Sequence, residues 1–174
     1  MGGWGVPILR EGELDIISHS AEQTRRLGVR LGSLLRPGDL ICLSGDLGAG
    51  KTAFAIGIGE GWGAKVPLTS PTFNLVHEHE RAADDQRLFH LDCYRLHGPA
   101  DAESIGLEDI LDGRGAVVIE WPEHIESLLP SERLWIELRI IEQTRRNFLI
   151  EATGQRYETL LEDFRGASFG TKTL

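Results

Sequence analysis

Hydrophobic spacing along the chain predicts both strands and helices. Apolar residues at every second position indicate strands, whereas apolar residues three or four positions apart indicate helices. The predicted strands cover residues 14–18, 40–43, 73–79, 87–92, 116–119, 134–141 and 147–152. The predicted helices cover residues 20–35, a segment that starts at 51, and residues 100–111, 123–129 and 157–164. Strands interspersed with helices favour an α/β fold with a mostly parallel central sheet flanked by helices.

Three details refine this prediction. Turn-like connections join strand 73–79 to 87–92 and strand 134–141 to 147–152, so both pairs are expected to be antiparallel. The run 116–119 is apolar at every position, which is typical of an interior strand covered on both faces. Because glycine weakens helices, we expect the helix that starts at 51 to have a short or irregular end in the glycine-rich stretch 57–63.

Length and composition are those of one ordinary globular domain. The 174 residues suit a single domain spanning 1–174, in which residues 1–13 and 167–174 are expected to be loosely ordered. No apolar stretch approaches the about 20 residues that cross a bilayer, and the first residues do not form a secretory signal. The two cysteines, Cys42 and Cys93, have no disulfide or metal-site spacing. These features predict a cytoplasmic protein that does not contact membranes.

The chain is acidic, with a formal net charge of −9. Nucleic-acid affinity comes largely from lysine and arginine side chains that neutralise phosphates. The basic residues here are dispersed and form no continuous stripe. Any role on nucleic acid should therefore run through a protein partner.

Residues 45–52 read G-D-L-G-A-G-K-T, the phosphate-binding P-loop pattern, directly after the apolar run 40–43. Glycines allow backbone N–H groups to approach phosphate oxygens, and the following helix presents its positive N-terminal end to them. In this pattern Lys51 reaches the terminal phosphates and Thr52 can ligate magnesium. The sequence thus predicts a P-loop NTPase-like protein that binds a nucleoside triphosphate together with Mg²⁺.

Two acids stand where predicted strands end. Asp92 is the last residue of the predicted strand 87–92 and Glu120 directly follows 116–119, so each is a candidate for the acid that organises magnesium. The alternative for each is an acid that simply faces solvent. Thr72, in a loop before a strand, is a candidate to contact the γ-phosphate or magnesium, and its alternative is a hydroxyl that caps its own turn.

Four motifs in this order resemble the bacterial TsaE family. They are G-D-L-G-A-G-K-T at 45–52, S-P-T-F at 70–73, H-L-D-C-Y-R-L at 90–96 and I-E-W-P-E at 119–123. The family comprises small ATPases of tRNA threonylcarbamoyladenosine biosynthesis. The resemblance implies an ATP hydrolase that acts on a complex of the TsaD and TsaB proteins, contacts tRNA only indirectly, and resets that complex between turnovers.

The resemblance also implies roles for individual residues. Thr52 and Glu120 would hold magnesium, and Asp92 would lie near the γ-phosphate, so that Lys51, Asp92 and Glu120 form the catalytic set. Thr72 falls in the family's switch loop. Arg145 falls in the loop between the last two strands, close to the nucleotide, with Thr144 in place of the family's usual glycine. The expected nucleotide-binding residues are Leu47, Gly48, Ala49, Gly50, Lys51, Thr52, Thr72 and Arg145.

Two other functions remain open from the residues alone. One is a phosphotransferase that passes the γ-phosphate to a small-molecule or protein hydroxyl. The other is an adaptor that needs bound nucleotide to assemble with its partners but does not hydrolyse it.

Overall fold

A computed structural model describes residues 11–69 and 75–170. Seven strands in these residues form one sheet. In chain order the strands are β1 Glu13–Ser18, β2 Leu40–Gly45, β3 Val76–Glu80, β4 Arg87–Asp92, β5 Gly115–Glu120, β6 Arg133–Ile140 and β7 Arg146–Thr153. Across the sheet the order is β1-β7-β6-β2-β5-β4-β3. Each predicted strand corresponds to one of these, although residues 73 and 74 of the third lie outside the described ranges.

The centre of the sheet is parallel and both edges are antiparallel. Strands β4, β5, β2 and β6 are adjacent and parallel. At one edge β3 pairs antiparallel with β4, and at the other β7 pairs antiparallel with β6 and β1. Strand β5 is buried at every position, as its continuous apolar run predicts. The mixed α/β fold is therefore confirmed, with antiparallel strands at both edges.

Five α-helices in the described residues accompany the sheet. They are α1 Ala21–Gly32, α2 Lys51–Trp62, α3 Pro99–Ser104, α4 Leu107–Ile110 and α5 Gln155–Phe169. Residues 122–124 and 126–128 form two short 3-10 helices. The single helix predicted over 100–111 is divided in two at Gly106, which has a left-handed φ of 71°. None of the described helices combines the length and apolar character that a bilayer crossing requires.

The expectation that α2 has a short or irregular end at its glycines is wrong. This helix runs regularly for 12 residues, through its glycines, and packs against α1. A Cβ atom added at Gly57 would lie 2.1 Å from the carbonyl oxygen of Arg25, and one at Gly61 would lie 1.9 Å from that of Val29. The glycines thus allow the two helix backbones to approach closely, and this tertiary contact outweighs their low helix propensity.

The structure describes only part of the two terminal segments, 1–13 and 167–174, that were expected to be loosely ordered. Residues 1–10 and 171–174 lie outside the described ranges. Within those ranges, Glu13 belongs to β1 and pairs with Glu151 of β7. Helix α5 continues through Phe169, beyond the predicted end at 164, so residues 167–169 belong to this helix.

The close contact of α1 with α2 predicts the effect of adding one methyl group. Gly61→Ala is expected to lower the free energy of unfolding by about 1–3 kcal/mol, because the new methyl would overlap the backbone of α1. Gly59→Ala is the matched comparison, because the nearest atoms that its Cβ would meet belong to the side chain of Leu68, which can rotate away, and not to backbone. Urea unfolding monitored by circular dichroism measures both, and an equal or larger loss for Gly59→Ala would contradict the packing argument.

Candidate functional site

The glycine-rich loop lies at the carboxyl end of β2, between this central strand and α2. Gly45, Gly48 and Gly50 have φ angles of 138°, 80° and 102°, which side-chain-bearing residues rarely adopt. These angles turn the chain sharply from the strand into the helix. In α/β sheets, ligands bind at the carboxyl ends of the parallel strands, which is where this loop lies.

The Lys51 side chain is buried and folded back onto the loop. Its Nζ donates to the backbone carbonyl oxygens of Gly45 and Asp46, the second at 2.9 Å, and lies 4.1 Å from the centre of the Trp121 ring. Burial lowers the pKa of this amine, although the nearby carboxylates, first among them Glu120, act in the opposite direction. The loop thus holds its cation through backbone oxygens and an aromatic face.

The Glu120 carboxylate connects α2 to two strands of the sheet. It ends β5 and is 2% exposed. The Thr52 hydroxyl, in the first turn of α2, donates to its Oε1 at 3.1 Å. On the other side, Nε2 of His90 in β4 lies 2.7 Å from its Oε2 and donates to it, because a carboxylate only accepts. Both predicted magnesium ligands are therefore in direct contact.

Asp92 lies beside Glu120 at the end of the neighbouring strand. The two residues are register partners in the parallel pair of β4 and β5. The Asp92 carboxylate is half-buried and accepts a hydrogen bond from the backbone N–H of Tyr94 at 3.0 Å. Burial raises the pKa of this carboxyl, with Glu120 adding to the effect and the Tyr94 bond opposing it. Two acids therefore end adjacent parallel strands beside the loop.

The donor atoms at this point suit a magnesium ion that also binds phosphate. Magnesium prefers oxygen ligands and commonly takes one or two carboxylates, with substrate phosphates and water completing its shell. The Thr52 hydroxyl donates its proton to Glu120, so the lone pairs of its oxygen remain available to a cation. Within residues 11–69 and 75–170, no group of three histidine, cysteine or acidic side chains is placed to hold a metal alone.

Trp121 covers the site in a strained conformation. Its φ of 57° is the only positive value at a non-glycine residue in the part of the chain that the structure describes. Such a conformation costs about 1–3 kcal/mol and persists where neighbouring groups impose it. Here the backbone N–H of Trp121 donates to the carbonyl oxygen of Leu43, and its ring packs against Lys51 and Tyr94.

The structure places an arginine against the loop one position after the predicted one. Arg145 lies in the turn between β6 and β7, about half exposed, and its guanidinium pairs with Glu142 at 3.7 Å. Arg146 instead donates from Nη2 to the carbonyl oxygen of Gly48 at 3.3 Å. Thr72, the predicted switch residue, lies outside the described residues. The predicted residues Leu47 to Thr52, Asp92 and Glu120 come together, whereas Arg145 makes no described contact with the loop.

Sequence reasoning missed His90 and Arg146. His90 is a polar residue inside an otherwise apolar strand, and buried polar side chains nearly always have a hydrogen-bonding partner. That signal was available in the sequence, but it does not name the partner, which belongs to the next strand of the sheet. Arg146 had no local signal that distinguished it from Arg145.

The fold and site define a mixed α/β protein whose single sheet carries a glycine-rich loop and two acids at the carboxyl ends of adjacent parallel strands. Residues 18–148 match the family described as "Threonylcarbamoyl adenosine biosynthesis protein TsaE". The chain belongs to the TsaE family, whose role is in tRNA threonylcarbamoyladenosine biosynthesis.

Similar proteins align with most of the chain. The Bacillus subtilis protein named tRNA threonylcarbamoyladenosine biosynthesis protein TsaE is 37% identical over 142 residues, 82% of this chain and 87% of that protein. Its Streptomyces coelicolor namesake is 40% identical over 140 residues, 78% of this chain and 94% of the relative. The crystal structure of Bacillus subtilis YdiB superposes with a TM-score of 0.73 at 33% identity, covering 87% of this chain and 93% of that one.

Loss of the His90 contact should destabilise the protein through Glu120. His90→Leu leaves one oxygen of a buried carboxylate without its donor, which is expected to lower the free energy of unfolding by about 2–4 kcal/mol. His90→Gln should lose distinctly less, because its amide nitrogen can donate from a similar place. Urea titrations of both variants at neutral pH decide this. Equal losses would mean that His90 acts by packing alone.

Proposed function

We propose that this protein is a magnesium-dependent ATPase with a P-loop NTPase-like fold. The observation that carries the proposal is the Thr52–Glu120 hydrogen bond, which joins the first turn of α2 to a buried acid at the end of β5. This pairing of a hydroxyl at the end of the glycine-rich loop with a strand-end acid matches the way such proteins hold magnesium. Lys51 lies next to the pair.

Phosphate binding would use the loop backbone and the start of α2. The N-terminal end of this 12-residue helix favours a negative ligand, and the N–H groups of residues 47–50 would donate to it, that of Ala49 leaving the Asp46 carbonyl oxygen. Lys51 would exchange its two backbone carbonyl partners for the β- and γ-phosphates. This exchange replaces neutral acceptors by negatively charged ones, which attract the ammonium group more strongly.

Magnesium, when bound, would neutralise developing charge on the phosphates. Thr52 and Glu120 would hold the ion, and His90 would keep the Glu120 carboxylate oriented through its second oxygen. Asp92, on the neighbouring strand, would orient the attacking water. Because burial raises its pKa, this carboxylate is a better proton acceptor than an exposed aspartate.

The reaction would serve tRNA modification through protein partners. Membership of the TsaE family supports a role in threonylcarbamoyladenosine biosynthesis. We propose that ATP hydrolysis acts on the threonylcarbamoyl-transferase complex of TsaD and TsaB in the cytoplasm, and that tRNA is contacted only indirectly. The net charge of −9 supports this, because an acidic protein does not attract a polyanion.

Hydrolysis is tested by removing the lysine and the acid separately. Lys51→Ala and Glu120→Gln are expected to lower kcat/KM for ATP by about 10²-fold or more, because both act on charge in the transition state. Lys65→Ala is the matched control, since this exposed lysine pairs with Glu80 away from the loop. With γ-labelled ATP and Mg²⁺, the label should appear as free phosphate.

Other outcomes separate the competing functions. Near-normal turnover in either site variant would contradict the site assignment. Label transferred to an acceptor hydroxyl faster than to water would indicate a phosphotransferase. If a Glu120→Gln protein that still binds ATP sustains repeated rounds of tRNA modification with TsaD and TsaB, the protein is a nucleotide-dependent adaptor instead.

The adjacent arginines provide a second test. Arg146→Ala removes the contact with the Gly48 carbonyl together with the Arg146 hydrogen bonds to the carbonyl oxygens of residues 142, 143 and 145, and should raise the KM for ATP about three- to tenfold. Arg145→Ala should leave KM almost unchanged. Steady-state kinetics of both variants measure this, and a larger effect at Arg145 would restore the assignment that the family resemblance implies.

A further inference from the structure

A groove lies apart from the candidate site, between α3, α4 and the segment 128–130. Its volume is about 890 Å³. Apolar side chains line it, among them Ala102, Leu107, Leu111, Leu128 and Leu129. Leu128 is 38% exposed and Leu111 is half-buried, whereas Ala102, Leu107 and Leu129 are buried beneath them. The apolar surface that the groove leaves exposed therefore belongs mainly to Leu111 and Leu128.

The rim of the groove is acidic. Four exposed carboxylates surround the apolar lining, from Glu103, Glu108, Asp109 and Asp112. Asp112 pairs with Arg114 at 2.7 Å, but none of the other three has an ion-pair partner among the described residues. Three of the four rim carboxylates thus have no ion-pair partner among the described residues. Arg114 is a cation beside them, which pairs with Asp112 and donates to the backbone carbonyl oxygen of Asp109 at 3.3 Å.

The groove faces away from the glycine-rich loop. Helix α4 ends at Ile110, and the chain then enters β5 at its amino end, Gly115. Pro130, on the opposite wall, precedes the amino end of β6 at Arg133. The loop and its acids lie instead at the carboxyl ends of the parallel strands. A molecule in the groove would therefore leave the candidate site open.

We infer that this groove docks a basic amphipathic helix of a partner protein. Leucines on one face of such a helix would cover the apolar lining, and lysines or arginines beside them would meet the unpaired carboxylates of Glu103, Glu108 and Asp109. A nucleic acid does not fit, because its phosphates would face these acids. A second copy of the chain fits poorly, because both copies carry a net charge of −9. The inference does not depend on ATP hydrolysis.

The probe is a synthetic helical peptide of about 18 residues, five turns, with leucines on one face and lysines on the rest. Its fluorescence anisotropy is titrated with the full-length protein. One control peptide carries glutamates in place of the lysines, and a second has the same composition in a scrambled, non-amphipathic order. Only the basic amphipathic peptide is expected to bind.

Matched charge reversals locate the binding. Glu108→Lys with Asp109→Lys is expected to weaken binding at least about tenfold, because two attractive rim charges become repulsive. Glu162→Lys with Asp163→Lys on α5 changes the net charge equally at exposed positions outside the groove and should leave binding unchanged. Leu128→Ser, which keeps the charge, should weaken binding severalfold. Circular dichroism checks each fold, and Glu108→Gln with Asp109→Asn replaces the reversal if that variant unfolds.

Several results would overturn the inference. Absence of binding, or equal binding of the scrambled or glutamate peptide, would show that the groove does not select a basic amphipathic helix. If the charge reversal on α5 weakened binding equally, the effect would depend on net charge alone and not on the groove. Dimerisation in sedimentation experiments that Leu128→Ser abolishes would assign the groove to a second copy of the chain.

Discussion

The buried carboxylate of Glu120 is the constraint on which the site depends. A carboxylate so far removed from water is tolerated only when hydrogen-bond donors satisfy it. The donors come from two different elements, Thr52 at the start of α2 and His90 in β4, while Glu120 itself ends β5. One side chain therefore holds the first turn of α2 against two strands of the parallel sheet. The proposed magnesium ligands are in place because this buried charge requires them.

Close packing of α2 against α1 also fixes the position of α2. Helix α2 begins beside Glu120 and then lies close to α1, an approach that its glycines permit. Trp121 directly follows the buried Glu120 and has a left-handed backbone conformation. In this conformation its indole ring lies against the amine of Lys51. The site thus combines a satisfied charge, a close helix contact and a strained aromatic residue.

The sequence predicted local features well and non-local contacts poorly. Strand positions and the glycine-rich loop follow from spacing within a few residues, so both were predictable. The regularity of α2 was not, because it depends on a helix that packs against it. His90 finds its partner on another strand, which no local pattern encodes. The difference between Arg145 and Arg146 is set by the direction in which a short turn projects neighbouring side chains.

A crystal structure with Mg²⁺ and a non-hydrolysable ATP analogue tests the central claim most directly. The account predicts the phosphates inside the loop 45–50, the metal about 2.0–2.1 Å from the Thr52 hydroxyl oxygen, and Glu120 beside it. Lys51 should have left the carbonyl oxygens of Gly45 and Asp46 for the β- and γ-phosphates. An analogue bound elsewhere, or a metal held without Thr52 and Glu120, would contradict the account.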